Sequence, residues 1–182
     1  LDSIPLIVIS GQVKRETMIS RMPELKLRQL GDQEADIVSI VRSITKYAAV
    51  VMEPECIRHE LEKAWHLAVS GRPGPVWLDI PLDVQAAEIS ENDLAPWVGK
   101  LPSRLGNMVE TRKVFEWLAH SERPVMVVGN GIRLAGAVGR FRKVVEKLKI
   151  PVLTALSGID LIESEAPYFF GRPGILGERP AN

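Results

Sequence analysis

The chain has 182 residues, 46% of them hydrophobic and 25% charged, with 23 basic and 23 acidic side chains and a formal net charge of zero. That length admits one domain or two and is enough to bury a real core. The scattered, balanced charge excludes the basic block that a nucleic-acid backbone selects, and no apolar run is long enough to predict a membrane span.

A single cysteine, Cys56, excludes an intrachain disulfide and a cysteine-based zinc site, and points to a reducing, cytoplasmic setting. The opening "LDSIPLIVISG" has neither Met nor the basic-then-apolar layout of a signal peptide, and it reads as an internal segment of something longer.

In chain order, "IPLIVIS" (4–10) is a β-branched run of the kind that is buried on both faces in a parallel sheet. A polar, charge-rich excursion follows over 14–34. Ile37, Ile40, Val41 and Ile44 then recur at helical spacing behind Asp36, which predicts an N-cap and a helix of about three turns. "YAAVVM" (47–52) is the second strand. Pro54 opens a helix whose predicted apolar face is Ile57, Leu61, Ala64, Trp65 and Ala68, closed by Gly71 in the left-handed region and barred by Pro73. "PVWLDI" is the third strand, so the order strand, helix, strand, helix, strand predicts a parallel α/β fold.

From 86 to 107 the sequence is polar, carries prolines and lacks a period, which predicts a linker. Beyond it, Val114, Phe115 and Leu118 mark a helix and "PVMVVG" (124–129) a strand. Val138, Phe141, Val144, Val145 and Leu148 mark a second helix and "IPVLTAL" (150–156) a second strand. Three strands before the linker and two after it leave bare parallel edges, again the expectation for a fragment of two domains.

Local chemistry is sparse. Gly129 and Gly131 in "VVGNGIRLAG" sit between a strand and a helix, where backbone N–H groups meet anions. Leu134 stands where a dinucleotide fingerprint needs a third glycine, which disfavours a standard NAD fold. His59 and His66 are seven apart and His120 is distant, so all three read as solvated or structural, as does Cys56. Trp65, Trp77, Trp97 and Trp117 read as core packing. The tetrapeptide "GRPG" occurs at 71–74 and 171–174 in unlike contexts, which predicts two loops, each presenting one arginine from a stiffened backbone, in place of a repeat.

The motifs "DSIPLIVISGQV", "QEADIVSIVRSITKY", "SGRPGPVWLDIPLDVQ", "RPVMVVGNG" and "FGRPG", in that order, resemble the large subunit of acetolactate synthase and its relatives among thiamine-diphosphate enzymes. The resemblance covers nearly the whole chain. It implies the second half of a pyrimidine-binding domain over 1–85, a linker over 86–107, and the first half of a central, Rossmann-type domain over 108–182. It also implies a 2-oxo acid substrate, thiamine diphosphate and Mg2+ as cofactors, FAD in part of the family, and a homodimer or homotetramer of the whole protein. The family's catalytic glutamate would precede Leu1, and its G-D-G and N-N motif would follow Asn182, so this stretch alone is expected to be inactive.

Position by position, Ser3 and Arg72 match places that touch FAD or line the active-site entrance. Gln33 falls where a glutamine reaches towards thiamine diphosphate, and Lys46 where a lysine lines the substrate channel. Asn130, Gly131, Leu156, Gly171, Arg172 and Pro173 fall on segments that cradle FAD, so that both "GRPG" loops would face one cofactor cleft. Asp32 replaces a phenylalanine, Leu82 replaces a frequent lysine, and the loop between Val13 and Gln33 is longer than in biosynthetic relatives; all three differences concern the channel. They leave open a related lyase or decarboxylase acting on another 2-oxo acid. A different class also stays open: a non-catalytic nucleotide-binding or assembly module, motivated by the lack of a complete catalytic set.

Overall fold

The computed structural model describes residues 2–99 and 108–182. The chain divides near residues 104 and 105 into two units, each with its own hydrophobic core.

In the first unit, β1 (Leu6–Gln12), β2 (Tyr47–Val50) and β3 (Pro75–Pro81) form a parallel sheet in the order β1-β3-β2. The central strand β3 is flanked on both sides, and its Val76 and Leu78 are fully buried, as a strand covered on both faces requires. Helix α1 (Ile37–Val41) precedes β2, α2 (Ile57–Val69) lies between β2 and β3, and the short α3 (Leu82–Gln85) follows β3 directly. The core joins Val51, Ala64, Ala68, Val76, Leu78 and Val84. Ala64 and Ala68 are four apart and share one face of α2; their small side chains are what α2 buries most deeply in this core.

The 14–34 excursion is built from three short 3-10 turns, Arg15–Thr17, Ile19–Arg21 and Pro23–Leu25, around the buried Met18. Gly71 has φ +59 just beyond the end of α2, the left-handed stop expected of it. Asp36 is also the N-cap expected, its carboxylate accepting from the Ser39 N–H at 3.1 Å.

Several expectations are corrected. The helix behind Asp36 has five residues, not three turns, because Ile44 N–H bonds Val41 in a tighter i→i−3 turn and the Thr45 hydroxyl takes the Val41 carbonyl at 2.9 Å. One short turn buries only one i, i+3 pair, Val38 and Val41, so Ile40 (67%) and Ile44 (71%) are exposed. On α2, Trp65 is 64% exposed and Leu61 also lies outside the core, since the helix docks through its alanines. Trp97 is half-buried: its backbone N–H donates to Glu62 at 2.8 Å and its ring lies 4.5 Å from that of His66. The segment before residue 100 is therefore held against α2, with one 3-10 turn at Glu91–Asp93. The rest of the predicted linker, 100–107, lies outside the described residues.

The second unit contains α4 (Met108–His120), β4 (Met126–Val128), α5 (Gly131–Leu134), α6 (Val138–Leu148) and β5 (Val152–Thr154). Strands β4 and β5 pair in parallel, and Phe169 bridges to Val152 beyond them. Val128, Phe141, Val145, Val152, Leu161 and Ile162 form the core. Both strands are shorter than expected, three residues each, because the ladder ends where the partner does. Val114, Phe115 and Trp117 are exposed on α4, so the apolar spacing predicted the helix but not its burial. Among the described residues no helix is long and apolar enough to cross a membrane.

The contrast between Leu78 and Trp65 is measurable by urea unfolding. Leu78→Ala should cost about 2–5 kcal/mol by opening a cavity, whereas Trp65→Ala should stay within about 0.5 kcal/mol, as for a surface change.

Candidate functional site

Parallel α/β sheets place ligands at the carboxyl ends of their strands. In the first unit that rim is held by two polar networks. Register pairs Ser10 with Asp79, and the Asp79 carboxylate, 1% exposed, accepts from the Ser10 hydroxyl at 2.6 Å and from Gln12 Nε2 at 2.8 Å. Ser10 in turn accepts from the Trp77 indole at 2.8 Å. Gln12 Nε2 also donates to the Ala35 carbonyl at 2.7 Å, which ties the loop before α1 to the end of β1.

Arg15 is the second hub. Its backbone N–H and Nε donate to Asp83 at 3.0 and 2.7 Å, and its Nη1 reaches the Met52 carbonyl at 2.7 Å and Glu53 at 3.3 Å. One guanidinium thus joins the segments that follow all three strands. Hydrogen bonds from the Arg15 backbone and side chain hold the Asp83 carboxyl below its ordinary range.

Above this rim stands the Glu34 carboxylate, which accepts backbone N–H groups from Ile19 (2.7 Å), Leu30 (2.9 Å) and Gly31 (3.1 Å). Burial pushes its pKa up, but the donors from Leu30, Ile19 and Gly31 outweigh burial, and the group titrates below its ordinary value.

The residues singled out in the first unit fall at two ends of the sheet. Gln33 and Asp32, both exposed, lie in the loop tied to β1, and Leu82 is the first residue after β3, so these three share the carboxyl-end rim. Ser3, Lys46 and Arg72 precede the strands at the opposite end, where Arg72 Nε donates to Ser3 Oγ at 2.8 Å. A seven-residue strand separates the two groups by roughly 20 Å. Lys46 Nζ donates to the Leu67 carbonyl and, at 2.8 Å, to that of Ser70, so it caps the carboxyl end of α2. Burial lowers its pKa.

In the second unit the structure brings all six singled-out residues to one rim. Asn130 and Gly131 follow β4, Leu156 follows β5 with 84% exposure, and the Gly171 carbonyl accepts from Thr154 N–H at 3.1 Å, which seats Gly171, Arg172 and Pro173 beside β5. Gly158 packs on Gly129, and a Cβ on Gly158 would lie 3.1 Å from the Gly129 Cα. Arg133 joins Asn130, at 2.9 Å, to Asp160. Arg172 is paired with Glu178. The Thr154 hydroxyl is buried with no hydrogen-bond partner among the described residues. The two "GRPG" loops lie in different units, the first between α2 and β3 and the second after Phe169.

Ser10, Gln12, Arg15, Glu34, Asp79 and Asp83 were not among the residues singled out from sequence. One signal was present: an aspartate inside the otherwise apolar "PVWLDI" strand, where burial demands partners. Among the described residues no cluster of three or more His, Cys, Asp or Glu side chains could hold a metal.

Comparison with known proteins shows what the chain is similar to. Residues 111–182 match the family described as thiamine pyrophosphate enzyme, central domain. The chain is 34% identical, over 97% of its length, to an acetolactate synthase from Arthrospira platensis, of which it covers 30%. It is 32% identical, over its full length, to the acetolactate synthase isozyme 2 large subunit of Escherichia coli K12, of which it covers 31%. Residues 111–182 thus resemble the central domain of thiamine pyrophosphate enzymes, and the whole chain is similar to a stretch of acetolactate synthases. A glyoxylate carboligase from Escherichia coli O157:H7 is 34% identical over 96% of the chain, which covers 28% of that protein. The chain thus spans under a third of the length of these relatives.

Asp79→Asn replaces one carboxylate oxygen by an amide N–H₂, which either faces the Gln12 amide donor or takes the place of the acceptor of the Ser10 hydroxyl, and so leaves one donor of this network without an acceptor. It should lower unfolding stability by about 1–3 kcal/mol, measured by urea denaturation, with Asn130→Ala in the other unit as a near-neutral control.

Proposed function

We propose that this chain is part of a thiamine-diphosphate-dependent 2-oxo acid decarboxylase or carboligase of the acetolactate synthase type. The observation that carries the proposal is 32–34% identity to acetolactate synthases over 97–100% of the chain. When bound, thiamine diphosphate supplies the electron sink that lets a 2-oxo acid lose carbon dioxide and form a new carbon–carbon bond.

The first-unit rim suits one contact with such a cofactor. Gln33 is exposed at the carboxyl ends of the strands, and its side chain has no hydrogen bond within the described residues. A carboxamide offers a donor pair and an acceptor to the edge of a heterocycle. Leu82, apolar and exposed directly after β3, would line the way to the reacting carbonyl, and Asp32 lies on the same turn as Gln33. Lys46, committed to the end of α2, would act on the channel only through the loop it supports. The proposed division is 1–85 and 108–182 as parts of two domains joined by 86–107.

FAD is proposed for the second-unit rim, where Gly131 has open space above its Cα and Leu156 exposes an apolar side chain. Glu178 already neutralises Arg172, so a diphosphate would have to displace it. Saturable flavin binding by the chain supports this reading, and none at high micromolar flavin removes it. The complete enzyme is proposed to be cytoplasmic, a homodimer or homotetramer, with Mg2+ held by residues outside this stretch and no turnover by the stretch alone.

A second reading has its own support: the glyoxylate carboligase is as similar, at 34%, as the acetolactate synthase from Arthrospira. Assay of the complete enzyme with thiamine diphosphate, Mg2+ and either pyruvate or glyoxylate separates the two. Acetolactate from pyruvate is the expected result. Carbon dioxide released from glyoxylate and not from pyruvate would move the assignment to the second reading, and turnover of neither would remove both.

A further inference from the structure

Gln33 has φ +62. It occupies the third position of a turn closed by Glu34 N–H on the Gly31 carbonyl at 3.2 Å, where a positive φ ordinarily calls for glycine or asparagine. A larger side chain there is strained and persists only if its surroundings over-determine the backbone. Glycine would serve the turn better. The glutamine therefore points to a use for its side chain, and the flanks show what enforces the conformation.

On one side, Gly31 is packed so closely that a Cβ would lie 2.9 Å from both the Thr17 carbonyl and Val13 Cγ2. The three N–H groups on Glu34 fasten Ile19, Leu30 and Gly31 to the residue that follows Gln33. On the other side, Gln12, itself oriented by the buried Asp79, holds the Ala35 carbonyl, and Asp36 caps α1. Between these two clamps, Gln33 is exposed and its amide is uncommitted among the described residues.

We propose that Glu34 and the Gln12–Asp79 pair are positioning residues that hold Gln33 in its left-handed turn and present its amide to the ligand of the strand-end rim. That the ligand is thiamine diphosphate rests on the reading above; the positioning role does not. The clamp is also pH-dependent in a defined sense. Glu34 titrates below its ordinary value of 4.5 in the folded state, so its contribution is complete above the unfolded pKa and is lost as pH falls through the folded one. Asp36, the like-charged neighbour acting on it, opposes this, and its own release is read separately at Ser39.

The test is amide exchange on the ¹⁵N-labelled chain, comparing the wild type with Glu34→Ala, Glu34→Gln, Gln12→Ala and Gln33→Gly. Glu34→Ala should cut protection at Ile19, Leu30 and Gly31 at least tenfold and shift the Gln33 backbone resonances, with β3 protection unchanged. Glu34→Gln has only one carbonyl oxygen to offer; it should keep part of the protection and lose the acid-dependent release seen in wild type. Gln33→Gly should leave the clamp intact.

In the complete enzyme, titration with thiamine diphosphate and Mg2+ should move the Gln33 side-chain amide in the wild type and move it several-fold less in Glu34→Ala at equal ligand. Unchanged protection and an unchanged Gln33 in both Glu34 variants would overturn the positioning role. Loss of the clamp in Glu34→Ala, with no response of wild-type Gln33 to thiamine diphosphate, would uphold positioning and remove the thiamine reading instead.

Discussion

The first unit depends on one buried carboxylate. Asp79 sits in the central strand with 1% of its surface exposed, where an unpaired charge would cost several kcal/mol, on the order of the whole stability of a small domain. Its partners come from the adjacent strand, because parallel register sets Ser10 opposite it and Gln12 two residues further on. Any slip of β1 against β3 would strand the carboxylate. The hydrogen bonds therefore fix register as well as satisfy charge, and through Gln12 they carry that register to the loop at Ala35.

Order at the strand ends follows from this. Arg15 gathers Asp83, Met52 and Glu53 from the segments after β3 and β2, and Glu34 gathers three backbone donors from the long excursion. A loop of that length would be costly to order on its own. Here it is ordered by side chains anchored to the sheet, which is how an irregular segment comes to hold a residue such as Gln33 in a strained conformation. In the second unit the equivalent rim is built from glycines and from two arginines that are already paired, a softer arrangement in which a ligand must exchange with existing partners.

Much of the framework was legible because it rests on short-range rules. Asp36 before an apolar run and Gly71 after one behave as their local chemistry requires, and strands do alternate with helices; the run 4–10, read as buried on both faces, is instead an edge strand with Leu6 and Ile9 exposed. What was not legible depends on pairs far apart in sequence. Ser10 and Asp79 are 69 residues apart, and Gln12 and Ala35 are 23 apart. The periodicity that marked α2 and α4 says that a face is apolar, not that this stretch of chain covers it, so Trp65 and Trp117 are exposed. The resemblance named Gln33, whereas the residues that hold it, Glu34 and Gln12, needed coordinates.

The most direct test of the account is a double-mutant cycle between Gln12→Ala and Asp79→Asn, read as unfolding free energy in urea. If the Gln12 amide bonds the Asp79 carboxylate, Asp79→Asn should cost less once Gln12 is gone, with a coupling of about 0.5–3 kcal/mol. Additivity within about 0.3–0.5 kcal/mol, the behaviour of independent sites, would contradict the claim that this buried carboxylate organises the rim.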